Sequence, residues 1–312
     1  MDGRLQIFAG NGNTPLAEEI VRVLEAPLGR AQVDHWRNGE TRIKLEENVR
    51  GSDIFVIQSM AEPVNQHLME LLIMIDAIRR ASAARVTAVI PYFAYARQEK
   101  KTGGREPISA KLVANLLVTA GVNRILTLDL HAPAIEGFFD IPVDHLRATP
   151  LLATCFRHMA IDDLVAVSPD AGGVGRAADF RARSGGALAI IAKQRPSPDK
   201  AEVIEMVGDV DGKTAVIVDD MISTGTTLVQ AADLLMERGA RRVFATAVHG
   251  LFAGTALELI DRSPIERVIV TDTLPLGPAK MSEKVEVLTV APLLAEAITR
   301  IHKDLSISAL FS

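Results

Sequence analysis

Nine short runs rich in Val, Ile and Leu constrain this chain more than any other feature. They fall at 5–9, 53–58, 86–90, 125–129, 164–168, 188–191, 215–218, 243–248 and 268–271. They are apolar without alternation, the pattern of strands covered on both faces. Helical patterns separate them at 15–24, 65–81, 111–120 and 227–238. Thr14-Pro15 reads as an N-cap followed by Pro at the first helical position. Strand and helix in alternation point to an α/β fold with mainly parallel sheets flanked by helices.

At 312 residues the chain suits two domains of ordinary size. A weak echo supports that division. Ala84-Arg85-Val86 and Asn123-Arg124-Ile125 in one half match Arg241-Arg242-Val243 and Glu266-Arg267-Val268 in the other. Each leads from a helix end into an apolar run. A basic residue at a helix C-terminus also suits the helix dipole anywhere, so the echo alone is modest. The turn-like Ala148-Thr149-Pro150 predicts domains 1–147 and 148–312, with the last helix free to pack back on the first.

Composition excludes some classes. At 48% hydrophobic and 23% charged, the chain has ample material for a core. The formal charge of −5 gives no general attraction to nucleic acid or to anionic membrane. Cys155 is the single cysteine, so no intrachain disulfide and no multi-cysteine metal site can form. The start, MDGRLQ, lacks a basic stretch leading into an apolar one, so no signal peptide is expected. The expected setting is cytoplasmic.

The most informative segment is Val216-Ile217-Val218-Asp219-Asp220-Met221-Ile222-Ser223-Thr224-Gly225-Thr226-Thr227. An apolar strand ends in two acids, and a small, hydroxyl-rich loop then opens a helix. Backbone N–H groups at such a helix start cradle an anion. Ser223, Thr224, Thr226 and Thr227 add hydroxyl donors, and Gly225 lets the backbone approach closely. Asp219 and Asp220 suit the vicinal hydroxyls of a sugar. The bland alternative is a capped turn with a solvated acidic pair.

Other segments are read in the same way. Tyr92-Phe93-Ala94-Tyr95-Ala96-Arg97-Gln98 holds both tyrosines of the chain. Its rings suit stacking on a base as well as ordinary packing at a sheet end. The following 99–105 reads as a mobile basic loop. Trp36-Arg37-Asn38-Gly39-Glu40 reads as a hairpin turn with a buried Trp, since Asn-Gly favours positive φ. Lys193-Gln194-Arg195-Pro196 carries two cations on a Pro-flanked loop, suited to a transferring phosphoryl group or merely to solvent. His131 and Asp170 each follow a strand, and alone they make a thin metal site.

Taken together, segments 65–72, 89–98, 128–132, 137–144, 167–170 and 216–227 resemble the ribose-phosphate diphosphokinases, of the bacterial class I kind. The likeness runs from Phe8 to the closing Ile307-Ser308-Ala309-Leu310-Phe311. It implies two similar domains like the type I phosphoribosyltransferases. It also implies transfer of the diphosphate of Mg·ATP to the C1 hydroxyl of ribose 5-phosphate, with AMP released. Residue by residue, it makes Lys193 and Arg195 catalytic. It makes Trp36, Asn38, Gly39, Glu40, Arg97 and Gln98 contacts of ATP, the 36–40 turn reaching a neighbouring subunit. It gives Arg195, Asp219, Asp220, Ser223, Thr224, Gly225, Thr226 and Thr227 to ribose 5-phosphate, and His131 and Asp170 to Mg²⁺. Family members assemble as dimers within a hexamer.

The chain departs from the family at several places. Trp36 stands for Phe, Asn38 for Asp, Gln194 for Arg, and Ser223 for a common Asp. Ala134 and Glu136 stand for Gln, Gly104 for a Ser of the family's regulatory phosphate site, and Gly175 for Val at a helix start. The changes at Asn38, Ala134, Ser223 and Gly104 motivate one rival reading, a catalytically weak paralogue that regulates an active partner; a second rival is a phosphoribosyltransferase that needs no ATP, against which the 92–98 segment argues.

Overall fold

The structure is a computed structural model that describes residues 3–194, 203–277 and 282–310. The chain divides into two compact units. Unit 1 comprises 1–147, 273–275 and 289–312, and unit 2 comprises 148–272 and 276–288.

Unit 1 is built on a five-stranded parallel sheet of β1 (Leu5–Ala9), β4 (Asp53–Ile57), β5 (Arg85–Ile90), β6 (Arg124–Leu128) and β7 (Val143–Leu146), in that order. Its helices are α1 (Thr14–Val23), α2 (Val64–Arg80), α3 (Ser109–Ala120) and the C-terminal α8 (Ala291–His302), which packs on α1. An antiparallel hairpin, β2 (Ala31–His35) and β3 (Thr41–Leu45), forms a sheet of its own.

Unit 2 is built on seven strands in the order β10-β9-β8-β11-β12-β13-β14. These are β8 (Leu164–Ser168), β9 (Ala187–Gln194), β10 (Val203–Val207), β11 (Thr214–Ile222), β12 (Arg242–Gly250), β13 (Ile265–Thr271) and β14 (Val285–Leu288). All neighbours are parallel except β9 and β10. The helices α4 (Thr149–His158), α5 (Val174–Ser184), α6 (Thr226–Glu237) and α7 (Ala256–Arg262) complete it. Strand order reverses between β8 and β11, and this is where open α/β sheets place their ligands.

All nine apolar runs are strands, and β4 and β8 are buried at every position. Five further strands come from other patterns. The hairpin strands alternate between half-buried and exposed residues. β7 and β14 have only four residues each, and β10 is paired along one side only.

The cap of α1 is Asn13 rather than Thr14: its Oδ1 accepts the Leu16 N–H at 3.3 Å, and Thr14 already lies in the helix. The recurring Arg residues do not serve helix dipoles. Each opens or enters a strand and pairs with an acid on the neighbouring strand. The pairs are Arg85–Asp53 (2.6 Å), Arg124–Asp144 (2.6 Å), Arg242–Glu266 (2.6 Å) and Arg267–Glu286 (2.9 Å). Asp53 has no exposed side-chain surface, and it also meets His302 Nδ1 at 2.8 Å, so it binds the C-terminal helix to the sheet.

Candidate functional site

In unit 2, β8 and β11 lie side by side at the reversal, and α5, which follows β8, packs on β11. β11 continues through both acids to Ile222, beyond the end at Val218 expected from the sequence. Asp220 is buried, while Asp219 keeps 28% of its side chain exposed. The Asp220 N–H donates to Asp219 Oδ1 at 2.8 Å. Arg176, in the first turn of α5, sets one guanidinium nitrogen 3.2 Å from Asp219 and 3.6 Å from Asp220. Burial pushes the Asp219 carboxyl up to about 7, helped by the hydrogen bond and charge of Asp220 and opposed by Arg176. Arg176 thus stands against both carboxylates.

The loop after β11 is fixed from behind. Ile222 O accepts from the Leu251 and Phe252 N–H groups, and Ser223 O accepts from Ala253 N–H at 3.0 Å. Gly225 adopts φ +76 and caps α6, and a Cβ there would lie 3.3 Å from Ala256 O. The left-handed backbone turns the chain so that the first N–H groups of α6, which have no carbonyl one turn earlier, open the helix. Thr224, Thr226 and Thr227 are exposed around them, with Ser223 half-buried. Asp170, exposed after β8, accepts the Gly173 N–H at 2.9 Å and shapes the entry to α5. That helix starts at Val174 despite Gly175.

In unit 1 the nucleotide candidates are spread over two loops. Tyr92 is 9% exposed and Phe93 3%, with Phe93 edge-on to Phe139 at 6.1 Å, so these two rings are packing. Tyr95, at φ +63, is the ring left accessible, and its hydroxyl donates to Asn65 Oδ1. Arg97 and Gln98 are exposed, and Gln98 is tethered to α3 through Ser109 and Ala110. The loop expected to be a free basic segment is knotted by Glu106, which accepts from Thr102 N–H, Thr102 Oγ1 and Gly103 N–H at 2.8–2.9 Å. Those bonds hold the Glu106 carboxyl below the usual carboxylate range.

The hairpin turn is as expected, but its tryptophan is not buried. Trp36 is 54% exposed, with the Arg42 guanidinium 4.6 Å from the ring centroid. Gly39 has φ +89, and Asn38 Oδ1 accepts the Glu40 N–H at 3.2 Å. The shallow recess of about 560 Å³ between this turn and α2 is lined by Gly39, Glu40, Thr41, Asn65, Gln66, Met69 and Ile73. The recess brings Gly39 and Glu40 together, with the Tyr95 partner Asn65 beside them.

His131 is exposed after β6. The N–H of its neighbour Leu130 donates to His145 Nε2 at 2.8 Å, and His145 Nδ1 lies 2.5 Å from Glu136 Oε1. With Nε2 accepting, the proton sits on Nδ1. Burial and then Arg147 hold the His145 pKa down, against the pull of Glu136. Among the described residues no three His, Cys, Asp or Glu side chains cluster to hold a metal by themselves. His131 belongs to unit 1 and Asp170 to unit 2. The backbone of Lys193 lies in β9, paired with Ile204 of β10, and Arg195 lies outside the described residues.

Sequence reading missed Arg176 and the His145–Glu136 pair. Arg176 leaves a signal, because a cation in a helix's first turn opposes the dipole unless an acid claims it. His145 gave none, since its partners lie on another loop.

A Gly-hinged helix start beside paired carboxylates, at the switch point of an open α/β sheet, suits a sugar-phosphate-binding class of protein. Comparison with known proteins narrows the class. Residues 5–121 match the N-terminal domain of ribose phosphate pyrophosphokinase, and 173–312 match the phosphoribosyl synthetase-associated domain. The ribose-phosphate pyrophosphokinase of Listeria ivanovii is 52% identical over 312 residues, covering 99% of this chain and 98% of its own length. That of Oceanobacillus iheyensis is 49% identical over 310 residues, with the same shares. The crystal structure of phosphoribosylpyrophosphate synthetase from Mycobacterium smegmatis superposes with a TM-score of 0.93 at 44% identity, covering 96% of this chain and 99% of that one. The chain belongs to the ribose-phosphate pyrophosphokinase family.

Proposed function

We infer that the chain transfers the diphosphate group of ATP to the C1 hydroxyl of ribose 5-phosphate, giving 5-phosphoribosyl 1-diphosphate and AMP for nucleotide biosynthesis. The observation that carries this reading is the unit 2 switch point. There the Gly225 turn and the N-terminus of α6 offer N–H groups to the 5-phosphate, and the Asp219–Asp220 pair offers acceptors to the ribose hydroxyls. In unit 1 the exposed Trp36, Arg97 and Gln98, with Asn38, Gly39 and Glu40, supply a ring face and polar groups for ATP.

In this reading the C1 oxygen attacks the β-phosphorus in line, forming the new P–O bond as the bond to the AMP oxygen breaks. Lys193, with Arg195, stabilises charge on the transferring group. Mg²⁺, when bound, neutralises phosphate charge, and His131 and Asp170 are the residues that would hold it. Most of the acceleration comes from positioning two bound substrates. The enzyme works as a homo-oligomer, dimers assembling into a hexamer, and the exposed Trp36, Met69, Ile108, Leu112 and Leu116 offer apolar surface for that. Among the described residues no helix is long and apolar enough to cross a membrane, and a cytoplasmic setting suits the substrates.

The test is AMP release from Mg·ATP with and without ribose 5-phosphate, with the sugar product passed to a phosphoribosyltransferase. Sugar-dependent AMP and a consumable product are expected. Folded protein that binds ribose 5-phosphate yet releases no AMP would establish the regulatory paralogue instead.

A further inference from the structure

We propose that the buried carboxylate of Glu70 is a positioning residue for the 36–40 turn, which it holds through Asn11. The proposal deepens the reading above and rests on the part of it that gives this turn to ATP.

Glu70 lies on the inner face of α2 with none of its side chain exposed. A carboxylate withdrawn from water persists only where donors surround it. Its Oε2 accepts the Asn11 backbone N–H at 3.1 Å and Gln58 Nε2 at 3.0 Å. Its Oε1 accepts Asn11 Nδ2 at 3.1 Å. The same Asn11 amide donates to Val33 O in β2, also at 3.1 Å. His35 closes β2, and its Nε2 stands 3.5 Å from Glu70 Oε1. That nitrogen is buried and has no hydrogen-bond partner among the described residues. Gln58 completes the cluster: it donates to His67 O at 3.0 Å and accepts the Gly12 N–H at 2.9 Å. Only glycine fits at position 12, where a Cβ would lie 2.0 Å from Ser59 O.

The hairpin is a two-stranded sheet with no ladder to the main one. Its base is tied to β1 by the Gly29 N–H on Ile7 O and by Gln6 on Glu47, and above that base its orientation depends on β3 packing against α2 and on this cluster. The turn begins at the residue after His35. A carboxylate that never meets the ligand thus fixes where Trp36, Asn38, Gly39 and Glu40 stand. Small displacements of positioned groups have large effects on binding and rate.

The full-length protein carries its own probe, since Trp36 is its single tryptophan. Glu70→Gln replaces one acceptor by a donor facing two donors. Asn11→Ala cuts the bridge to Val33 and leaves the carboxylate, which guards against a Glu70 variant that does not fold. In each, Trp36 emission and its quenching by acrylamide are measured without ligand, and KM is measured for both substrates. Both variants are expected to shift Trp36 emission and raise the KM for ATP about tenfold, with the KM for ribose 5-phosphate within about twofold. Lower thermal stability with unchanged emission overturns the proposal, as does an equal rise in both KM values. Trp36→Ala separates the two readings. If it leaves the KM for ATP unchanged, the turn is not an ATP contact, whereas the emission shifts still decide whether Glu70 positions it.

Discussion

In unit 1 the strand order β1-β4-β5-β6-β7 never reverses, whereas in unit 2 it reverses between β8 and β11. The candidate sites differ accordingly. Unit 2 brings its groups to one place, because two parallel strands send their following loops apart at the switch point and leave a crevice between. Arg176 reaching both Asp219 and Asp220 ties the start of α5 to the end of β11. Unit 1 has no such crevice in its sheet. Its candidate contacts sit on the hairpin, the loop after β5 and the loop after β6. A cradle built on strand ends suits a small phosphorylated sugar held rigidly. Contacts on separate loops suit a larger nucleotide and need anchors such as Glu70.

The largest effect expected within this comparison falls on catalysis in unit 2. Lys193→Ala should lower the rate of AMP release roughly 10²–10³-fold, the scale of losing a charge-stabilising donor. A loss below tenfold would remove Lys193 from its assigned role.

The next effect contrasts the Arg–acid pairs. In unit 1 the Arg85 side chain is 12% exposed and its partner Asp53 not at all, while Arg242 and Glu266 of unit 2 are both more than 40% exposed. Arg85→Ala strips the buried Asp53 carboxylate of its guanidinium, leaving it the His302 ring, and should cost about 3–5 kcal/mol in urea unfolding. Arg242→Ala should cost about 1 kcal/mol or less. Equal costs would show that burial does not separate the two sets of pairs.

A third substitution acts on the cradle. Gly225→Val forces a β-branched residue into φ +76 against Ala256 O, strain of about 1–3 kcal/mol. The KM for ribose 5-phosphate should rise about tenfold or more, with the KM for ATP little changed.

The smallest effect is a pH dependence. The folded Asp219 carboxyl titrates near 7, above its usual value of 3.8, so the folded state holds an extra proton between those limits. Stability from this group is present at low pH and lost as pH rises through 7. Its side chain is part-exposed, so the effect is screened. The ligand-free protein should lose about 2–4 °C in Tm between pH 5 and 8 that Asp219→Asn does not lose. The same fall in both proteins would assign the dependence to other groups.

Much of this was legible in the sequence, for reasons particular residues show. Doubly covered strands such as 164–168 announce themselves by unbroken apolarity. The 216–227 segment is local, so its loop and helix could be read directly. The hairpin strands escaped because they alternate. Trp36 was expected inside because a lone Trp usually packs, yet here Arg42 stacks on it at the surface. Tyr92 and Phe93 were ambiguous until burial settled them as packing. Arg176, His145 and the Glu70 cluster depend on contacts between distant segments, which spacing along a chain does not encode.

The central claim is a division of labour: unit 2 holds the sugar phosphate and the unit 1 turn serves the nucleotide. Calorimetric titration of ribose 5-phosphate and of Mg·ATP, separately, into the wild type, Gly225→Val and Trp36→Ala tests it most directly. The account predicts a crossed result, with Gly225→Val weakening only the sugar phosphate and Trp36→Ala only the nucleotide, each about tenfold or more. Weakening of both ligands by either substitution, or the reverse pairing, would contradict it.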